Sequence, residues 1–326
     1  MNLSVCIIAK NEEKHIEKCM QCLSNKEVQI VVADTGSTDK TKEIAKKYTE
    51  FVYDFKWVDD FGAAKQFAVS KAANDNILIL DCDEYLLSDE TVLEKLNSML
   101  ENEPQRAGRI KCINVLDDDS KNTDWITRAF NRKYYKVEGK IHEQIVKTDG
   151  EPADTFLSAV VIKHVGYALN DDEKKKKASR NIKLLKKRLA ELEKNFDSDI
   201  TQNNEKEIPY IYYQLGKSYY MEKDYNNACD FFSKGLSFDL EPKLEYVIDM
   251  VETYGYAMLN SGKVQEALSY TSIYDVFGNS ADFKFLMGLI YMKNAMFDEA
   301  VNEFQKAAEY LKIYCMKRTR LFYMIL

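Results

Sequence analysis

Proline and glycine are scarce in this chain, with 4 and 12 among 326 residues. That scarcity excludes collagen-like and low-complexity classes and argues against a turn-dense all-β architecture. No stretch reaches the roughly 18 consecutive apolar residues that a membrane-crossing helix needs. A basic excess is also missing. Acidic residues number 53 against 46 basic ones, a net charge of −7, so a nucleic-acid partner, which needs a basic surface against its phosphates, is not expected. The seven cysteines are scattered. The close pair Cys19 and Cys22 lacks the second pair that a zinc site needs, so both read as reduced core thiols. Met1 to Ala9 runs straight into a strand pattern, without the basic start and small-residue cleavage site of a signal peptide. A cytoplasmic protein is expected. Hydrophobic residues make up 45% and charged ones 30%, a balance that suits a sizeable globular core.

Up to about residue 115, short apolar runs alternate with helical spacing. Leu3–Ala9, Val28–Ala33, Phe51–Asp54 and Ile77–Leu80 read as strands; Glu12–Leu23, Asp39–Tyr48, Gly62–Ala73 and Glu90–Leu100 read as helices. Continuous apolar strands separated by helices predict a parallel sheet covered on both faces, a doubly wound α/β layer. From Arg109 to Val165 the pieces are shorter and mixed, including Tyr134–Val137 and Ala159–His164, and suggest an antiparallel extension. Asp171–Asn195 is an amphipathic helix with Ile182, Leu185 and Leu189 on one face. Its Lys174–Lys177 run reads as a solvated helix start rather than an anion site.

From Pro209 the chain repeats itself. Leu215-Gly216, Tyr254-Gly255 and Met287-Gly288 recur with Ala228, Ala267 and Ala300 at matching intervals of 39 and 33 residues. The pattern resembles the tetratricopeptide repeat, a pair of helices of about 34 residues whose small residues mark close crossings; an ordinary helical bundle is the alternative. The expected domains are therefore 1–170, a linker helix over 171–205, and helical repeats over 206–326.

Ligands of open α/β sheets bind at the carboxyl ends of the strands. Here those positions hold Lys10-Asn11-Glu12-Glu13, Asp34-Thr35-Gly36-Ser37-Thr38-Asp39, then Trp57, Asp59 and Asp60, and finally Asp81-Cys82-Asp83-Glu84. No Gly-rich dinucleotide loop or phosphate-cradling lysine loop stands among them. Acid gathered at a ligand edge repels phosphate unless a divalent cation lies between, and Mg²⁺ or Mn²⁺ takes oxygen ligands from carboxylates and substrate phosphates. Asp81 and Asp83 can lean into one small volume, although an Asp-x-Asp is also a common solvated turn. Asp34 can accept a hydrogen bond from a nucleobase while Ser37 or Thr38 caps the next helix.

Ser4–Glu13, Asp34–Thr41, the Trp57-to-Gln66 stretch and Asp81–Tyr85 together resemble the family 2 glycosyltransferases of the GT-A fold, over roughly residues 1–170. Attached helical repeats resemble a subgroup that glycosylates flagellin or secreted peptides. The resemblance implies that Ala9, Asn11, Glu12, Asp34 and Gly36 hold the nucleotide. It also places Asp81 and Cys82 at the ribose or sugar, Asp83 on the metal, and Lys65 and Arg128 near the donor. Lys65 stands where relatives often carry Arg, which keeps the charge but loses the bidentate fork. His164 matches a late histidine found close to the metal, and Gly139-Lys140-Ile141-His142-Glu143 resembles an acceptor-side motif. His142 is a further metal candidate, although both histidines can equally be structural. His15 reads as a surface residue of the first helix.

The implied reaction moves a sugar, GlcNAc or Glc, from a UDP-sugar to a protein or peptide such as flagellin at Ser or Thr, with inversion and with Mn²⁺ or Mg²⁺. A carboxylate takes the acceptor's proton: Glu143 first, with Asp124 and Glu84 behind it. The repeats, rich in tyrosine (Tyr210, Tyr212, Tyr213, Tyr219, Tyr220, Tyr225), would recruit the acceptor. Alternatives are a saccharide or lipid acceptor, a repeat-based adaptor with an inactive first domain, and a nucleotidyltransferase. The last normally carries a basic Gly-rich first loop that Lys10–Glu13 does not provide.

Overall fold

A computed structural model describes residues 1–115, 121–141, 143–166, 171–195 and 202–317. The chain divides into two compact units, Met1–Leu169 and Asn170–Leu326.

In the first unit, β1 (Leu3–Ala9), β2 (Gln29–Asp34), β3 (Val52–Asp54) and β4 (Asn76–Asp81) are parallel and lie in the order β3-β2-β1-β4. Side-chain alternation splits the core. Val5 and Ile7 pack on one face with Ile16, Met20 and Leu23 of α1 (Ile16–Leu23) and with Leu93 and Leu96 of α4 (Glu90–Asn102). Cys6 and Val31 pack on the other with Ala68 and Val69 of α3 (Phe61–Ser70). A sheet covered on both faces favours continuous apolar strands, which is why β1, β2 and β4 were legible.

The sheet continues as β4-β7-β6-β10-β5. The antiparallel member β7 (Lys121–Asn131) joins β4 to β6 (Arg106–Val115); β10 (Asp154–His164) runs parallel to β6, and β5 (Glu84–Leu86) antiparallel to β10. β4, β6 and β10 therefore end at one rim, where β7 begins. Between β6 and β7, Gly108 pairs with Ala129 but Arg109 pairs with Thr127, so Arg128 is the extra residue of a β-bulge. Bulges re-aim side chains beside active sites. A separate ribbon, β8 (Tyr135–Glu138) and β9 (Gln144–Lys147), carries a loop whose Gly139 and Lys140 carbonyls accept hydrogen bonds from Gly62 and Phe61 at the start of α3.

Three elements of this unit depart from the sequence reading, the first being α1, which begins at Ile16 rather than Glu12. The helix expected over Asp39–Tyr48 is only α2 (Thr41–Ala45), and ahead of it the Asp39 carboxylate accepts from the Thr41 and Glu13 amides. Strand β5 was not foreseen; its Glu84 stands in the acidic run that ends β4 and read as part of it.

The second unit is helical: α5 (Asp171–Asn195), α6 (Gln202–Met221), α7 (Tyr225–Leu236), α8 (Glu245–Asn260), a 3₁₀ run over Glu266–Ile273, α9 (Tyr274–Phe277), α10 (Ala281–Lys293) and α11 (Phe297–Lys317). The repeat glycines mark close crossings: a Cβ at Gly216, Gly255 or Gly288 would lie 2.5 Å from Phe232, Leu286 or Phe304. The longer first repeat interval comes mostly from the α7–α8 link, eight residues against three in the corresponding α9–α10 link. The regular second helix expected around Ala267 is a 3₁₀ run instead. Thr271 and Ser272 hydroxyls bond the Leu268 and Ser269 carbonyls there, competing with regular helix. Lys175 and Lys176 are exposed on α5, as a solvated start requires. The Tyr213 and Tyr219 rings are buried packing groups.

On α8, burial pushes the Glu252 carboxyl up to about 7, while its hydrogen bond from Ser280 works against that rise. A raised folded-state pKa means stability that is complete below the unfolded value and lost as pH climbs through 7. Glu252→Gln should therefore melt above the native chain at pH 8 and together with it near pH 4. Equal midpoints at pH 8 would contradict this.

Candidate active site

The loops after β1 and β2 are tied together. Asn11, at φ 55°, donates its N–H to Ser37 Oγ at 3.0 Å, and its side-chain oxygen accepts from the Thr38 N–H at 2.8 Å. Glu12 donates to Thr41 Oγ1 at 2.7 Å, and the Ala9 carbonyl accepts from Thr35. This frame positions Asp34. Its Oδ2 accepts from the Gly36 and Ser37 amides at 3.2 and 3.1 Å, and Gly36 takes φ +102°. Asp34 Oδ1 is buried with no hydrogen-bond partner. A buried acceptor left unmade is costly, which marks this atom as one that waits for a donor.

At the end of β4, Asp81 sits in a charged bracket. Lys65 Nζ, buried on α3, lies 2.8 Å from Asp81 Oδ1 and 2.5 Å from Glu143 Oε1. Arg128, aimed by its bulge, reaches Asp81 Oδ2 and Glu84 Oε1, both at 2.9 Å. Glu84 Oε2 accepts the Asp81 N–H at 2.9 Å. Burial disfavours the Asp81 carboxylate, but Lys65 and Arg128 outweigh it and hold the group well below the usual range. Burial also opposes charge on Arg128 and Lys65, yet their acidic partners raise both above their ordinary values. Burial raises Glu84 despite Arg128. The set is a compact, charged and pre-oriented wall.

Asp83 Oδ2 lies 3.3 Å from His164 Nε2. Adjacent ligands of an octahedral ion with bonds of about 2.1 Å stand roughly 3 Å apart, so this pair fits Mg²⁺ or Mn²⁺. Gly166 keeps the adjoining space open: a Cβ there would fall 2.0 Å from Asp83 Oδ2 and 2.6 Å from His164 Nε2. No group of three or more His, Cys, Asp or Glu that could hold a metal occurs among the described residues; ions of this kind commonly take substrate phosphate oxygens and water among their ligands. Gly166→Ala should abolish Mn²⁺-dependent nucleotide binding in a thermal-shift assay while leaving the ligand-free midpoint within a few degrees. Undiminished binding would count against this site.

The structure thus brings Asp34, Asp81, Asp83, Lys65, Arg128, Glu143 and His164 to the rim where the parallel strands end. Others of the expected residues lie elsewhere. Cys82 is in the core with its thiol 3.3 Å from the Ile8 carbonyl, and burial raises its pKa, so its side chain is no sugar ligand. Asp124 hydrogen-bonds Asn114 at 2.7 Å, apart from the Asp81 bracket. His142 lies outside the described residues. His15 is half-buried rather than a surface group and meets the Tyr85 hydroxyl at 2.9 Å. Asn114 and the bracketing role of Glu84 were missed. The only signal for Glu84 was its place directly after Asp81-Cys82-Asp83.

The family model described as Glycosyl transferase family 2 matches residues 4–145. The glycosyltransferase SunS of the Bacillus subtilis SPbeta prophage is 28% identical over 191 residues, 56% of this chain and 44% of that protein. A TPR repeat-containing protein of Synechococcus elongatus is 35% identical over 85 residues, 26% of this chain and 21% of that protein. The chain thus spans less than half the length of either relative. Among solved structures, S. aureus TarS 1–349 is 12% identical at a TM-score of 0.39, covering 100% of this chain and 94% of that one. No helix among the described residues is long and apolar enough to cross a membrane.

Proposed function

From the Glycosyl transferase family 2 domain that this chain carries at residues 4–145, we propose a metal-dependent inverting transfer of GlcNAc or Glc from a UDP-sugar to a hydroxyl or thiol of a protein or peptide. One observation carries the reading: Asp34, Asp81 and Asp83 converge at one rim, each in a different state. Asp34 has a buried oxygen without a donor, Asp81 is held between two cations, and Asp83 pairs with His164.

Each state matches a task. Asp34 Oδ1 accepts the imide N–H of uracil. Asp81 keeps acceptor capacity beside Lys65 and Arg128, since an ionised carboxylate offers about four lone-pair sites, and it orients the ribose or sugar hydroxyls. Asp83 and His164 would hold Mn²⁺ or Mg²⁺, which when bound neutralises charge on the leaving diphosphate. Glu143 takes the acceptor's proton as the new bond forms at the anomeric carbon and the bond to the diphosphate oxygen breaks on the opposite face. Lys65, shared by Asp81 and Glu143, keeps the base anchored beside the sugar site. The helical repeats are assigned to acceptor recruitment, in keeping with the binding surfaces that such stacks present. An inactive adaptor predicts a damaged site, and the acidic triad and its cations are intact.

A thermal-shift panel of UDP-GlcNAc, UDP-Glc and GDP-mannose, with and without Mn²⁺, tests the reading. A uridine donor at about 100 times its Kd should stabilise by about 2.7 kcal/mol, and only with metal. No shift with any uridine donor in the presence of Mn²⁺ or Mg²⁺ would overturn it.

A further inference from the structure

We propose that Asn114 is a positioning residue: its carboxamide, anchored by Asp124, decides which ring nitrogen of His164 faces Asp83. The inference rests on the reading of Asp83 and His164 as holders of a divalent cation.

Strand register builds the arrangement. Asn114 on β6 lies beside His164 of β10 and opposite Asn122 of β7, while Asp124 pairs with Cys112 two residues away. The Asn114 side chain is 3% exposed. Its Nδ2 donates to Asp124 Oδ2 at 2.7 Å and to Asn122 Oδ1 at 2.8 Å. An ionised carboxylate only accepts. Turning the amide over would set two oxygens 2.7 Å apart, so Asp124 fixes the nitrogen end of Asn114 on its own side. The carbonyl end then faces His164 Nδ1 at 2.9 Å.

A carbonyl oxygen cannot donate, so the hydrogen of this contact sits on His164 Nδ1. Nε2, 3.3 Å from Asp83 Oδ2, is then the nitrogen left to offer its lone pair to a cation. Without the Asn114 acceptor, a neutral ring gains more by placing its hydrogen on Nε2 and donating to Asp83, which occupies the two cation-facing atoms with each other. Outer partners of ligating histidines typically contribute 10- to 100-fold in metal affinity. Asp124 thereby acts as the anchor of His164 rather than as the base.

The test uses the full chain with UDP and Mn²⁺, reading free Mn²⁺ by electron paramagnetic resonance. Asn114→Leu should weaken Mn²⁺ binding about 10- to 100-fold, and Asp124→Ala, at an exposed position, by a smaller factor. Asn114→Asp alone sets two carboxylates together and should also bind poorly. Combined with Asp124→Asn it restores a donor–acceptor pair and should recover native affinity within a few-fold, a rescue that mere packing would not require. With Mg²⁺ and UDP, ¹⁵N spectra should show protonated Nδ1 and unprotonated Nε2 for His164; with three histidines in the chain, assignment is direct. Native-like Mn²⁺ affinity in Asn114→Leu, or failure of the folded double variant to recover, overturns the positioning role while the function stands. A native chain that binds no Mn²⁺ with UDP overturns both.

Discussion

Replacing Glu143 with glutamine should lower kcat for sugar transfer about 10²- to 10⁴-fold, the usual contribution of a placed general base. Donor affinity should stay within a few-fold, because Glu143 touches Lys65 rather than the metal pair or Asp34. Glutamine keeps an oxygen for Lys65 and nearly the same volume, so the wall around Asp81 should hold. Single-turnover transfer to a hydroxyl acceptor, beside equilibrium binding of UDP with Mn²⁺, separates the two quantities. Near-native turnover would remove Glu143 from the mechanism. A joint collapse of turnover and donor binding would instead make it a structural partner of Lys65.

Asp83→Ala should produce the larger loss. Charge developing on a departing diphosphate is worth several kcal/mol to a bound cation, so transfer should fall by at least about 10³-fold. The change should be just as plain in binding, where the Mn²⁺-dependent part of the UDP thermal shift disappears. Asp83 is partly exposed and its 3.3 Å contact with His164 is loose, so the ligand-free melting point should barely move. Asp83→Ala protein that still transfers sugar in the presence of chelator would refute the metal scheme.

Legibility followed physical range. Strands β1, β2 and β4 were readable because burial on both faces leaves an apolar run, and the acids that follow them were readable because they interrupt it. That Asp34, Asp81 and Asp83 share one rim could be read from little beyond strand ends. His164 came from a family resemblance, not from its neighbours in sequence. Asn114 left no trace: an amide among apolar and charged residues of a half-buried strand looks like any other, and its meaning comes from register with His164, 50 residues away. Lys65 read as a donor contact, yet the fold joins it to Asp81 and to Glu143, 78 residues further on. Cys82 failed for the opposite reason. Its neighbours Asp81 and Asp83 face the rim, while from the turn between β4 and β5 its own thiol points to the Ile8 carbonyl.

Arg128 is an extra residue between two stretches of regular pairing. Ahead of it, Asn122 and Asp124 meet Asn114; behind it, Ala129 returns to pairing with Gly108. Removing that one residue would delete a cation from Asp81 and Glu84 and leave the ladder on either side intact. The strand would close up with Thr127 still opposite Arg109 and Ala129 still opposite Gly108, and Asn122 and Asp124 would stay beside Asn114. A single inserted amino acid therefore brings a guanidinium to the charged wall without disturbing the ladder that aligns the histidine row.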